Sequence, residues 1–221
     1  MNVSKRIRII GDFILPTEII ADIGADHGLL ELYLLGKYKN LSITAIENKI
    51  GPYQILDHSL RAFKNVRLSM SDGLTAVDQD VNTVVIAGMG GLNIKNILDA
   101  YPLKVEKINK FVIDAHRDIA LVRKTLIDYR FKIEEEKIVY EQGKYYVVNV
   151  FIKSNEPLSY TEDEIAFGYK LYLDPLWVKY RKYLISQNNK TISLLKDTPN
   201  LQDKILELKK INERLINYGK N

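Results

Sequence analysis

The stretch Ala21–Gly28, reading ADIGADHG, constrains this chain more than any other. It follows Glu18–Ile19–Ile20 and precedes the apolar run Leu29–Leu35, so it reads as a strand, a tight glycine turn and a helix. Glycines at 24 and 28 let backbone approach a ligand where a β-carbon would collide. The helix that follows turns its free N–H groups and positive dipole end toward that ligand. Asp22 and Asp26 would repel a pyrophosphate, and they suit a ligand with a cationic or hydroxyl-rich part. Glycines four apart also miss the G-x-G-x-x-G dinucleotide fingerprint.

From Glu18 onward, short β-branched runs alternate with helical patterns. Strands are expected at Ile19–Ile23, Ser42–Glu47, Val66–Met70, Thr83–Ala87 and Lys110–Ala115, with helices over Leu29–Tyr38, Gly51–Phe63, Asn93–Asp99 and Ile119–Tyr129. Near-continuous apolar strands such as Thr83–Ala87 suit a parallel sheet covered on both faces, hence a doubly wound, Rossmann-like α/β fold. Ser4–Phe13 is expected to form a short helix packed near the first strand. Ile133–Glu141 and Tyr145–Ile152 are separated only by Gln142–Gly143–Lys144, a link that allows nothing but an antiparallel hairpin. A mostly parallel sheet closed by such a hairpin is the pattern of class I methyltransferases.

Beyond a linker at Ser154–Tyr160 no strand pattern survives. Thr161 and Glu164 form a capping-box signature, and Pro175 is expected to open a helix at its first turn. Leu201, Ile205, Leu208, Ile211, Leu215 and Tyr218 recur at spacings of four and three, a coiled-coil-like seam, with Lys196–Asn200 as the turn between two antiparallel helices. The expected organisation is an α/β domain over residues 1–156 and a small all-α, coiled-coil-like domain over 157–221.

Composition closes other routes. Without cysteine there is neither disulfide nor thiolate metal site, and His27, His58 and His116 lack metal-ligand spacing, so no metal is expected. No apolar run approaches membrane-spanning length and no leader pattern opens the chain, which points to a cytoplasmic protein. A net charge of +4 permits nucleic-acid binding.

In a doubly wound sheet, ligands bind beyond the carboxyl ends of the strands. There this chain finishes its first strand with Asp22 and Gly24 and its second with Glu47 and Asn48. Ser71–Asp72–Gly73 follows the third strand, and Ala87–Gly88–Met89–Gly90 the fourth. Glu47 can accept both hydroxyls of a ribose, and Asp72 can accept from an adenine amino group. Four such strand ends together favour a nucleoside-containing ligand, and S-adenosylmethionine combines a ribose with a sulfonium and an ammonium. His58 and His116 read as surface residues, and Asp114 as a strand-end candidate.

DIGADHG, ENKIGPY, SDGL and IAGMGG, in this order and spacing, resemble the bacterial tRNA (adenine-22-N1)-methyltransferase family. The resemblance extends through KYYVVNVFI and the helical tail. It implies a class I methyltransferase domain, S-adenosylmethionine as cofactor and tRNA as substrate. Ala25 stands where the family pattern has serine, and Ile113–Asp114–Ala115–His116 replaces a Leu-Gln-Pro type ending of the fifth strand. Adenine N1 carries its own lone pair, so the implied chemistry needs placement and electrostatic help rather than a strong base. Asp26 is the expected catalytic carboxylate and His27 an orienting partner. The phosphate contacts are expected from Lys5, Arg6 and Arg8, and from Lys179, Arg181, Lys182, Lys204, Lys209, Lys210 and Arg214 on the tail. The chain is expected to act as a monomer. Three alternatives remain open from sequence. One is methylation of another RNA or of a small molecule, another an NAD(P)-dependent oxidoreductase, and the last a non-catalytic RNA-binding protein on this fold.

Overall fold

A computed structural model describes residues 3–220, which divide into an α/β unit ending at Ser159 and a helical unit beginning at Tyr160. In the first, α1 (Lys5–Asp12) leads into β1 (Ile19–Ile23), α2 (Leu29–Lys37), β2 (Ser42–Glu47), α3 (Ile50–Leu60) and β3 (Val66–Met70). β4 (Thr83–Gly90), α4 (Gly91–Ala100), the single turn α5 (Pro102–Val105), β5 (Lys110–Arg117) and α6 (Ile119–Asp128) follow. The hairpin β6 (Phe131–Glu141) and β7 (Lys144–Lys153) ends the unit. The sheet order is β3-β2-β1-β4-β5-β7-β6, with β1 to β5 parallel and β7 antiparallel to both its neighbours. The hairpin therefore folds back so that its second strand pairs with β5 and its first becomes the edge.

Why these runs pack is visible in what they bury. Ile20, Ile43, Val85, Val112 and Val148, one per strand on one face, form a cluster with Ile10 and Ile14 from the α1 region and with Leu30 and Leu34 of α2. On the opposite face α4 lies against α6, burying Ile94, Leu98, Val122 and Leu126. Each such side chain taken out of water contributes about 1.5–3 kcal/mol, which fixes the helices on the sheet. Between α6 and β6, Arg123 Nε donates to Glu136 Oε1 at 2.8 Å, with both side chains 1% exposed.

β1 is flanked by β2 and β4, whose connections leave in opposite directions, so a crevice opens at its carboxyl end. β4 and β5 run further than their sequences suggest. Gly88 adopts φ 82° and bulges out of the ladder, so pairing with β5 resumes at Met89 and continues to Gly90–Arg117. That extension carries His116 to the rim of the crevice.

In the second unit, α7 (Glu162–Phe167) starts at the expected capping box: Thr161 and Glu164 bond each other's backbone N–H reciprocally. The long helices α8 (Trp177–Leu195) and α9 (Gln202–Asn217) run antiparallel, tied by Arg181 to the Ile216 carbonyl and by Asn188 and Asn189 to Asn212. Pro175 is not in the first turn as expected; it sits in the turn before the helix cap Leu176, where the Asp174 side chain accepts from Leu176 N–H. Ile205, Leu208 and Leu215 are buried as the seam requires, whereas Leu201 is exposed because a short 3₁₀ turn, Pro199–Leu201, takes it off the helix face. Among the described residues, no helix is long and apolar enough to cross a membrane.

Candidate active site

The glycine turn after β1 is built differently from its sequence reading. The N–H groups of Gly24 and Ala25 both donate to the Ile46 carbonyl, so they anchor the turn to β2 rather than point at a ligand. Gly24, at φ 80°, leaves room for Met89: a β-carbon there would sit 2.5 Å from the Met89 methyl. Gly28, at φ 77°, is expected from sequence to admit a ligand, but it faces Leu56 and Leu60 of α3 and serves close helix packing. The turn still sends the start of α2, Leu29 and Leu30, to the wall of a cavity of about 780 Å³.

Apart from Gly28 and the strand-end candidate Asp114, the residues assigned to cofactor or chemistry from sequence line this one cavity. Asp22, Gly24, Asp26 and His27 come from the first strand end, and Glu47 and Asn48 from the second. Ser71, Asp72 and Gly73 come from the third, with Ala87, Gly88, Met89 and Gly90 from the fourth. Glu47 is buried and locks the wall: Oε2 accepts from Asp26 N–H at 3.2 Å and Oε1 from Lys49 N–H at 2.8 Å. Each oxygen keeps a second lone pair for a ligand hydroxyl. Asn48 Nδ2 donates to Asp72 Oδ1 at 3.0 Å, aligning the amide and the carboxylate side by side.

Asp26 holds a left-handed conformation, φ 51°, which an aspartate tolerates better than most side chains. With its backbone pinned by Glu47, its side chain is left 66% exposed at the mouth, 3.7 Å from His27 Nε2. A carboxylate held in place yet open to an incoming group suits a catalytic contact.

Sequence patterns gave no hint of a second carboxyl pair. Glu31, in the first turn of α2, is fully buried, and neither of its oxygens meets a donor among the described residues. It lies against Asp22. Burial pushes Asp22 up to about 7, the Glu31 contact working against the rise and the Glu47 charge adding to it. Burial, then the Asp22 charge, pushes Glu31 well above the ordinary carboxyl range. Two carboxyls buried against each other cannot both ionise cheaply, so the pair holds a proton more tightly than free carboxyls do.

The opposite rim is cationic. Arg6, assigned from sequence to phosphate contacts, lines the same cavity, as does His116, which sequence reads as a surface residue. Arg6 Nη1 donates to Asp114 Oδ2 at 2.6 Å and lies 3.2 Å from His116 Nε2. The other basic candidates divide. Lys179, Lys182, Lys209 and Lys210 are exposed on the helical unit without a described partner, as is the Lys5 side chain on the first unit. Arg8 donates to the Val3 carbonyl, Lys204 pairs with Glu207 at 2.8 Å, and Arg181 is spent on the hairpin. Arg214 is held by Asp163 at 2.5 Å and stacks over Phe167, so its charge is largely committed to folding the unit. Among the described residues no cluster of histidine and acidic side chains is arranged to hold a metal.

Residues 3–149 match the family model described as a methyltransferase domain. The tRNA (adenine(22)-N(1))-methyltransferase of Bacillus subtilis is 28% identical over 185 residues, 81% of this chain and 76% of that one. The Mycoplasma genitalium protein MG248 is 30% identical over 175 residues, 76% of this chain and 78% of its own. The chain belongs to the tRNA (adenine-N1)-methyltransferase family. The methyltransferase also shares its fold with Mycoplasma capricolum TrmK, solved with S-adenosylhomocysteine. The TM-score is 0.84, with 24% identity over 98% of this chain and 97% of that one.

Within this methyltransferase the cavity fits a nucleoside carrying a cationic amino-acid tail. It has buried carboxylates for hydroxyl and ammonium groups, an Asn–Asp pair for a purine edge, and a stretch bare of side chains at Gly88.

Proposed function

We propose that the enzyme methylates N1 of an adenine in tRNA, at position 22, using S-adenosylmethionine, and that it works in the cytoplasm as a monomer. The observation that carries this is the acid-lined cavity at the carboxyl ends of β1 to β4, with Asp26 fixed but open at its mouth, in a chain of this family. When bound, S-adenosylmethionine supplies an electrophilic methyl group on its sulfonium. Glu47 accepts the ribose hydroxyls, Asp72 with Asn48 meets the adenine edge, and Asp22 receives the ammonium. Adenine N1 of the substrate carries its own lone pair, so no protein base is needed, and methylation there would leave the positive charge on the purine. Asp26 meets that charge and accepts from the exocyclic amino group, while His27 orients it. Incubating the full chain with labelled cofactor and total tRNA, then mapping the modified nucleoside by mass spectrometry, tests the proposal. 1-Methyladenosine at position 22 is the expected product, and label elsewhere or none overturns it.

Glu47→Ala is expected to weaken cofactor binding roughly ten- to a hundredfold, since it removes charge-assisted hydrogen bonds of about 1.5–3 kcal/mol. Calorimetry on the folded variant checks this, and unchanged affinity removes Glu47 from the site.

Cofactor affinity is also expected to depend on pH. Below about 7 the Asp22–Glu31 pair carries an extra proton, which an arriving ammonium must displace. Affinity therefore rises with pH toward 7 by up to about tenfold per unit and levels off above it. The same pair binds protons more tightly folded than unfolded, so its contribution to stability declines as pH climbs from the ordinary carboxyl range to 7. Titrations of cofactor binding between pH 5.5 and 8.5 read the first trend, and Asp22→Asn should abolish it.

The helical unit is proposed to carry the tRNA. Reversing Lys179, Lys182, Lys209 and Lys210 to glutamate is expected to weaken tRNA binding at least tenfold while cofactor affinity holds. Equal tRNA affinity in a filter-binding assay would place recognition elsewhere.

A further inference from the structure

Arg6 is held in an unusual way for a residue of a short N-terminal helix. Its anchor, Asp114, is fully buried within β5, and Asp114 Oδ1 meets no donor among the described residues. Burial raises the Asp114 pKa, while the Arg6 and His116 charges pull against that rise. A buried carboxylate that keeps one oxygen unsatisfied costs stability, so its retention needs a return. What it secures is the direction of one guanidinium. The 2.6 Å bond to Asp114, the His116 ring at 3.2 Å and the Tyr146 ring 5.2 Å beneath Arg6 Cζ hold that group on three sides. Only Nη1 is used in these polar contacts, so Nε and Nη2 have no partner among the described residues.

The surroundings fix what those donors can take. Gly88 presents bare backbone beside them: a β-carbon there would lie 3.8 Å from Arg6 Nη1 and 3.9 Å from the His116 ring. The carboxylates that suit hydroxyl and ammonium groups sit at the ends of β1 to β3, whereas Arg6 and His116 stand at the ends of β4 and β5. A fork of N–H donors with no acceptor matches a ligand edge made only of acceptors, and pairs best with two oxygens of an anion.

We propose that Arg6, positioned by Asp114 and His116, is the oxyanion-binding residue of this cavity. The inference rests on the cofactor and tRNA reading above, which brings two oxyanions to this mouth: the carboxylate of the cofactor's methionine part and the phosphodiester of the target nucleotide. Arg6 touches the ligand, and Asp114 acts through Arg6.

Binding of S-adenosylhomocysteine, 5′-methylthioadenosine and tRNA to the full chain separates these sources. 5′-Methylthioadenosine keeps the nucleoside and thioether but lacks the amino-acid carboxylate. Arg6→Gln removes the cation, and Arg6→Gln with Asp114→Asn does so without stranding a buried charge, so the second variant decides if the first fails to fold. If Arg6 holds the carboxylate, S-adenosylhomocysteine affinity falls tenfold or more while 5′-methylthioadenosine affinity is unchanged. Asp114→Asn alone should then show the same selectivity. If it holds the phosphodiester, both small ligands bind normally and tRNA affinity falls tenfold or more, with a salt dependence shallower by about one phosphate contact. Two results overturn the proposal: all three affinities unchanged, or 5′-methylthioadenosine weakened as much as S-adenosylhomocysteine, which makes Arg6 a structural part of the wall. A wild-type chain that binds neither S-adenosylhomocysteine nor tRNA would instead sink the functional reading itself.

Discussion

Asp26→Asn is expected to lower kcat about 10²- to 10³-fold while leaving cofactor affinity within about twofold, the range seen when one electrostatic contact to a transition state is lost. The substitution isolates charge from shape. Asparagine tolerates the left-handed backbone at position 26, and the Asp26 N–H to Glu47 bond is made by the main chain, so the turn survives. The uncharged amide no longer meets the positive charge that the purine acquires. Single-turnover rates with saturating cofactor read the effect directly. A loss confined to cofactor affinity would make Asp26 part of the binding wall only. His27→Gln distinguishes a further case: if Asp26 acts only by holding His27, 3.7 Å away, both variants lose the same factor.

Arg123→Ala is expected to cost about 3–5 kcal/mol of stability, because it leaves Glu136 buried against α6 without its counter-charge. For a chain of this size that corresponds to a fall in Tm of about 6–20 °C by scanning calorimetry. The pair joins α6 to β6 and neither residue lines the cavity, so cofactor affinity measured well below Tm should be unchanged. Replacing both partners, Arg123→Met with Glu136→Leu, should recover most of the loss, since no charge is then stranded. Equal losses in the single and double variants would show that packing, not charge, holds this contact.

The reach of the sequence follows from which forces are local. β1 and β2 begin and end where their apolar runs do, because a strand covered on both faces writes its burial into consecutive residues. The hairpin was equally legible, since a two-residue turn at Gln142–Gly143 leaves no other connection. The acidic strand ends could be assigned to one crevice because a parallel sheet puts all its carboxyl ends on one side.

What tertiary structure alone decided involves partners far apart in the chain. Gly28 answers to Leu56 and Leu60, and Gly24 to Met89, so the shape of the glycine turn was predictable but its reason was not. Glu31 reads as one charge in an apolar helix until burial beside Asp22 raises the pKa of both carboxyls. Arg6 reads as a phosphate contact at the surface, yet Asp114, 108 residues away, draws it into the cavity wall. The bulge at Gly88 extends β5 and brings His116 to the same rim. Apolar periodicity determines which elements form and which face they bury, because it is a property of neighbouring residues. The pairing of charges across the sheet depends on how those elements stack, and no stretch of sequence records it.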